Sequence, residues 1–200
     1  YMARCVCVSG RSSYWRLRVY KDKKILGMIP ARGGSKRVPH KNLRDFRGKS
    51  LLQWAMEHAD GSKHIDHWVV STEDADIAKE AGRRAIARPH YLACDKTPTE
   101  GVMVHALYTL PGYDFAVLLQ PTSPLRTVED IDRCIEIAID SHEKFGVTGC
   151  VSYNEYGKRN GAVYVCQVVH FLQFLSFDAA HHYIMPMSRS LDCDYEWDLK

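Results

Sequence analysis

An α/β fold with a mainly parallel sheet is what this 200-residue sequence predicts, and three observations carry that reading. Short apolar runs occur without the polar alternation of a half-exposed strand. Stretches with apolar residues at helical spacing separate them, and several runs end in loops rich in glycine, proline or hydroxyls. Continuous apolar strands joined through helices form parallel sheets covered on both faces.

The elements follow in order. Residues 25–31 (ILGMIPA) read as a buried strand that enters the glycine loop Arg32-Gly33-Gly34. Residues 50–60 (SLLQWAMEHAD) predict a helix with Ser50 as its N-cap. Residues 67–72 (HWVVST) predict a second strand, and 73–85 a helix acidic at its start and basic at its end, as the helix dipole favours. Residues 99–110 read as helix, 115–120 (FAVLLQ) as strand and 127–141 as a strongly amphipathic helix. Residues 146–153 and 161–169 complete the strands. Ligands of such sheets bind beyond the carboxyl ends of the strands, so the loops at 32–42, 71–74 and 120–126 are the candidate site.

Composition narrows the function classes. The 200 residues carry a formal charge of only +3, unevenly spread. Residues 1–24 hold seven Lys/Arg against one acid, a formal +6, which leaves the other 176 residues at −3. Residues 1–23 therefore read as a basic, poorly ordered extension and 24–200 as one domain. Aromatic–basic patterning over a wider surface is missing, which argues against a nucleic-acid partner. The seven cysteines are scattered with no C-x-x-C pair, and the ten histidines have no ligand-spaced partners, so neither a disulfide framework nor a zinc cluster is implied. No apolar run reaches the roughly 20 residues of a membrane span, nor is there an export-signal core. A reduced, cytoplasmic protein is the expectation.

Residues 30–42 (PARGGSKRVPHKN) carry the chemistry. Glycines let backbone N–H groups approach an anion closely, and Arg32, Lys36, Arg37 and Lys41 place four cations within ten positions. Neither G-x-x-x-x-G-K-[ST] nor G-x-G-x-x-G is present. Read from the residues alone, the loop fits either a polyphosphate or an ordinary charged surface turn. The turn at 120–126 (QPTSPLR) adds Gln120, two hydroxyls and Arg126 between rigid prolines.

I-P-A-R-G-G-S-K-R-x-P-x-K-N resembles the nucleotide-binding signature of the acylneuraminate cytidylyltransferases, the CMP-sialic acid synthetase family. The resemblance continues in order through V-V-S-T-E-D (69–74), R-P-x-x-L-A-x-D (88–95), L-L-Q-P-T-S-P-L-R (118–126), N-G-A-V-Y (160–164) and S-L-D-C-D-x-E-x-D-L (190–199). It implies a three-layer, Rossmann-like nucleotide-diphospho-sugar transferase fold. The implied reaction moves CMP from CTP to the anomeric hydroxyl of a nine-carbon keto sugar acid and releases pyrophosphate. By the same resemblance, Arg32 and Lys41 are catalytic, with Lys41 neutralising the α-phosphate under attack. Gly33, Ser35, Lys36, Asn42, Arg88 and Thr99 join them in holding CTP, and Gln120 and Asn160 approach the sugar acid. Asp192 and Asp194 resemble the family's D-x-D site for Mg2+; alternate residues of an extended segment face one side and can share a hard cation.

The sequence also departs from the family. A longer segment that the family carries between the strand at 146–153 and N-G-A-V-Y is missing, and with it an arginine near the sugar acid and much of the dimer contact. Lys158 and Arg159 are the nearest basic residues, and a homodimer, typical of the family, is doubtful. The chain stops soon after the D-x-D block, where the family adds a helix. Three readings stay open: an N-acylneuraminate enzyme, a synthetase for pseudaminic, legionaminic or Kdo-type acids, and a catalytically impaired CTP-binding homologue.

Overall fold

In a computed structural model of the chain, residues 20–178 and 181–200 are described. Ile25–Pro30 forms β1, whose side chains alternate between two cores. A loop and a single turn at Lys41–Leu43 lead into a small hairpin, β2 (Asp45–Phe46) with β3 (Lys49–Ser50). Helix α1 (Leu51–Gly61) starts at Ser50, whose hydroxyl accepts the Gln53 N–H while the Gln53 side chain accepts the Ser50 N–H. Strand β4 (His67–Thr72) follows, then α2 (Ala75–Ala81), capped by Asp74. Next come β5 (Ala85–Ala87), α3 (Thr99–Thr109) and β6 (Phe115–Leu118). Helix α4 (Val128–Phe145), β7 (Gly149–Asn154), β8 (Arg159–Gln167), α5 (Val168–Phe174) and β9 (His181–Met185) complete the chain.

Seven strands form the main sheet in the order β5-β4-β1-β6-β8-β7-β9. Only β8 runs against the rest, so the sheet is mainly parallel, as expected. One core packs α1, α2 and α4 on one face through Leu52, Ala55, Ile77, Ile131 and Ile135. The other packs α3 and α5 on the opposite face through Met103, Leu107 and Phe171. The three layers follow from strands apolar on both sides. No helix among the described residues is long and apolar enough to cross a membrane.

Three differences from the sequence reading have local causes. The helix expected over 73–85 stops at Ala81, because Gly82 turns the chain at φ 57° and the next residues pair with β4 as the edge strand β5. Strands β7 and β8 are joined by a tight turn, which forces an antiparallel pair. The sequence reading missed β5, α5 and β9, all of them short. Residues 1–19 of the basic extension lie outside the described residues. Tyr20 and Lys21 already pack on α4, with the Tyr20 hydroxyl donating to Asp140 at 3.2 Å and Lys21 pairing with Asp140 and Glu143.

Candidate nucleotide-binding site

The loop after β1 is fastened to the β4–α2 turn. Gly33 donates its N–H to Glu73 Oε1 at 2.9 Å, and a Cβ on Gly33 would lie 2.2 Å from Asp74 Oδ2. A glycine is therefore required there by close approach, but its N–H is committed within the protein. Asn42 closes the loop from the other side, Nδ2 donating to the Arg32 carbonyl at 2.9 Å. The V-V-S-T-E-D residues thus have separate structural duties: Glu73 holds the loop, and Asp74 accepts the Asp76 and Ile77 N–H groups at 3.0 Å as the α2 cap.

A cavity of about 270 Å³ opens beyond the strand ends, lined among others by Arg32, Ser35, Lys41, Asn42, Arg88, Thr99 and Gln120. A second, of about 410 Å³, adjoins it through shared walls and adds Lys36, Arg37 and Asp194. Every residue assigned above to the nucleotide lines one of these two spaces except Gly33, which borders a third, shallower one with Gly34 and Ser35.

The cations are already paired. Asp95 bridges Arg32 Nη1 at 2.8 Å and Lys36 Nζ at 2.5 Å, and Lys36 first, then Arg32, holds its carboxyl below the usual range. Asp194 bridges Lys41 Nζ at 2.9 Å and Arg37 Nη1 at 2.7 Å. Burial works against ionising Asp194, but these two cations outweigh it and lower its pKa. Arg88 is 5% exposed, donates through Nε and Nη2 to the Ser71 hydroxyl and carbonyl, and faces Glu73. Burial lowers its pKa, with Glu73 opposing that shift. Arg88 therefore anchors the end of β4 while its side chain borders the cavity.

The D-x-D segment is pinned to the same place. Cys193 donates its N–H to the Thr122 carbonyl at 2.7 Å, and its side chain is buried with Phe46 and Leu51. Asp198 Oδ2 accepts the N–H groups of Asp194 and Tyr195 at 2.9 and 2.8 Å. Asp192 is open to water on one side but crowded by protein on the others; that crowding raises its pKa, with a Thr122 hydrogen bond opposing and the Asp194 charge adding. Gly161 sits between it and Gln120: a Cβ there would lie 2.9 Å from Gln120 Oε1 and 3.7 Å from Asp192 Oδ2.

Two residues that the sequence reading placed toward a sugar acid turn inward. Asn160 is 5% exposed; its Oδ1 accepts from Ser152 Oγ at 2.6 Å and from the Ala162 N–H at 3.2 Å, and its Nδ2 donates to Ser190 Oγ at 3.1 Å. Its amide is spent on holding strand ends together. Arg126, read from sequence as a further cation for this turn, is 1% exposed and lies behind it. Its Nη1 donates to the carbonyls of Gln120 and Ala162 at 2.7 and 2.8 Å, and burial pushes its pKa down to about 9. The sequence reading gave no role to Asp95 or Asp198. Each stands inside a block that carried the resemblance, but only contacts across the fold reveal what it does.

The profile of the cytidylyltransferase family matches residues 26–166. The chain belongs to that family. It is 28% identical to the N-acylneuraminate cytidylyltransferase of Escherichia coli O18:K1:H7 over 213 residues, covering 88% of this chain and 51% of that protein. It is 35% identical over 130 residues to a pseudaminic acid cytidylyltransferase of Campylobacter jejuni, covering 61% and 56%. A CMP-N,N'-diacetyllegionaminic acid synthase of Legionella pneumophila is 35% identical over 122 residues, covering 57% and 53%. The chain thus spans about half the length of these curated relatives. Among solved structures, CMP:2-keto-3-deoxy-manno-octonic acid synthetase complexed with CTP superimposes with a TM-score of 0.56 at 22% identity, over 66% of this chain and 52% of that one. At these identities the likeness is one of fold.

Proposed function

We propose that this chain is the core of an enzyme that transfers CMP from CTP to the anomeric hydroxyl of a nine-carbon keto sugar acid of the N-acylneuraminate type, with release of pyrophosphate. One observation carries the reading: Arg32, Ser35, Lys41, Arg88, Thr99 and Gln120, from loops up to 88 positions apart, converge on one cavity at the strand ends. Synthetases for pseudaminic, legionaminic or Kdo-type acids form a second reading, favoured by relatives of each kind at 34–35% identity.

In this reading Arg32 and Lys41 oppose the charge that builds on the triphosphate during displacement, and positioning with charge stabilisation supplies most of the acceleration. Lys41 is 17% exposed, so its charge is less screened than that of a surface lysine. Arg88 and Thr99 border the space left for the nucleoside, and Gln120 with Thr122 orients the acid. Among the described residues no cluster of three or more His, Cys, Asp or Glu is placed to hold a metal. Asp192 and Asp194 nevertheless suit Mg2+, which takes few protein carboxylates and completes its shell with water and phosphate oxygens. Bound there, it would supply positive charge against the charge that builds on the phosphates in the transition state. A step that consumes CTP fits the cytoplasm.

The test is pyrophosphate release from CTP and magnesium with N-acetylneuraminate, pseudaminic acid, legionaminic acid and Kdo supplied separately. Turnover with one acid and little with ATP or GTP is expected. CTP binding without turnover on any acid would leave a nucleotide-binding homologue instead.

A further inference from the structure

Asp95 sits on the exposed turn after the single helical turn His90–Leu92, where the Thr97 N–H closes on the Cys94 carbonyl at 3.0 Å. Its carboxylate reaches across to two cations of the glycine loop, Arg32 at 2.8 Å and Lys36 at 2.5 Å. As a stabilising device this pairing is poor. The Lys36 side chain is 85% exposed, and Asp95 and Arg32 are each more than a third or about a third exposed; pairs of that kind contribute little to folding. Its location is what sets it apart, because Asp95 lines both cavities and faces the cations a polyphosphate needs.

We propose that Asp95 is a resident counter-ion of the phosphate site, which a nucleoside triphosphate must displace before it can engage Arg32 and Lys36. The proposal rests on the reading of that cavity as a triphosphate site. Without ligand, the carboxylate keeps the two cations from repelling each other and holds the loop near its working shape. With ligand, like charges meet: the phosphate oxygens and the Asp95 carboxylate compete for the same N–H donors, and the turn carrying Asp95 has to yield. Affinity is therefore lower than the four cations of the loop alone would give. Lys41 and Arg37 face a different partner, Asp194, so this competition belongs to one half of the phosphate site.

Calorimetric titration of the protein with CTP and with inorganic tripolyphosphate tests this for wild type, Asp95→Asn and Asp95→Glu. Asp95 is on an exposed turn, so each variant is expected to fold, with thermal unfolding as the control. Asp95→Asn should bind both probes about three- to tenfold more tightly at low salt, the range expected for losing one or two exposed ion pairs. The gain should shrink as salt is raised, because the pairs it removes are screened. Asp95→Glu, which keeps the charge, should stay close to wild type. Unchanged or weaker binding by Asp95→Asn overturns the proposal, as does equal tightening in the Asn and Glu variants, which would point to shape rather than charge. Failure of wild type to bind either probe overturns the triphosphate reading itself, and the proposal with it.

Discussion

Asp194 accepts from both Lys41 and Arg37 and takes its own backbone support from Asp198, while Asp192 faces Thr122 and the Gly161 gap. Asp192→Asn and Asp194→Asn should each lower pyrophosphate release by about 10²–10³, the usual cost of removing one charge-stabilising group. Urea midpoints should barely move, since neither side chain is in the core. Wild-type turnover in either variant would remove the D-x-D assignment. A pH effect arises deeper, at His58 on α1. Burial first, and Arg126 second, push its pKa down to about 3, against about 6.5 in an unfolded chain. The native state therefore refuses a proton that the unfolded state accepts. Its stability contribution is full above about pH 6.5 and is lost as pH falls toward 3, by at most about 1.4 kcal/mol per pH unit. His58→Gln should flatten that slope in urea titrations compared at about pH 7.5 and about pH 5; an unaltered slope would place the sensitivity elsewhere. Sequence pattern found the cations of the loop because glycines and like charges clustered within ten positions. It misassigned Arg126, because its burial depends on strands 36 residues away, at Ala162.

At the level of elements, local rules explain most of what was legible. Ser50 and Thr127 begin α1 and α4 with capping boxes, and both starts could be read from a hydroxyl three residues before a polar partner. The short edge strands β5 and β9 carry no such signal, and their pairing is decided by neighbours distant in the chain. The turn after β6 illustrates how an element is held for function. Arg126 donates one nitrogen to two carbonyls at that turn and at β8, while its Nε and Nη2 are buried without hydrogen-bond partners. Arg126→Met keeps the bulk but removes this donor from both carbonyls, leaving Gln120 only the long Ser123 N–H contact at 3.4 Å; a buried acceptor left without its donor costs about 1–3 kcal/mol. The substitution should lower the urea midpoint and, by loosening Gln120, reduce turnover beyond what the lost folded fraction explains. Equal losses in folded fraction and turnover would make Arg126 purely structural. Arg126→Lys should not rescue it, since a lysine offers a point charge in place of a planar fork.

At the scale of the whole molecule, the proposed function makes nucleotide binding and acid binding separately testable. CTP should raise stability by RT ln(1 + [L]/Kd), about 2.7 kcal/mol at a hundredfold excess over Kd, because the phosphate loop, Arg88 and Thr99 all border one cavity. The end that the proposal gives to the acid is built differently. β7 and β8 join in a closed turn, where Asn154 Oδ1 accepts the Tyr156 and Lys158 N–H groups at 3.0 Å and Gly157 adopts φ 72°. A bidentate arginine is the strong partner for a sugar carboxylate, yet the three arginines toward this end are engaged. Arg159 pairs with Asp178 at 2.5 Å, Arg189 donates to both oxygens of Asp130 at 3.1 and 2.9 Å, and Arg126 is buried behind the turn. Lys158 can supply only a point charge. The expected outcome is weak N-acetylneuraminate binding beside ordinary CTP binding, and a monomer or loosely associated dimer, because so short a turn offers no arm to a second copy. Calorimetry with the acid in the presence of CTP, and light scattering at micromolar protein, check the two halves independently. Tight acid binding would mean that one of the three arginines leaves its partner, with Arg159, whose pair with Asp178 is the most exposed, the first to test by Arg159→Lys; a stable dimer would require an interface built without the β7–β8 turn.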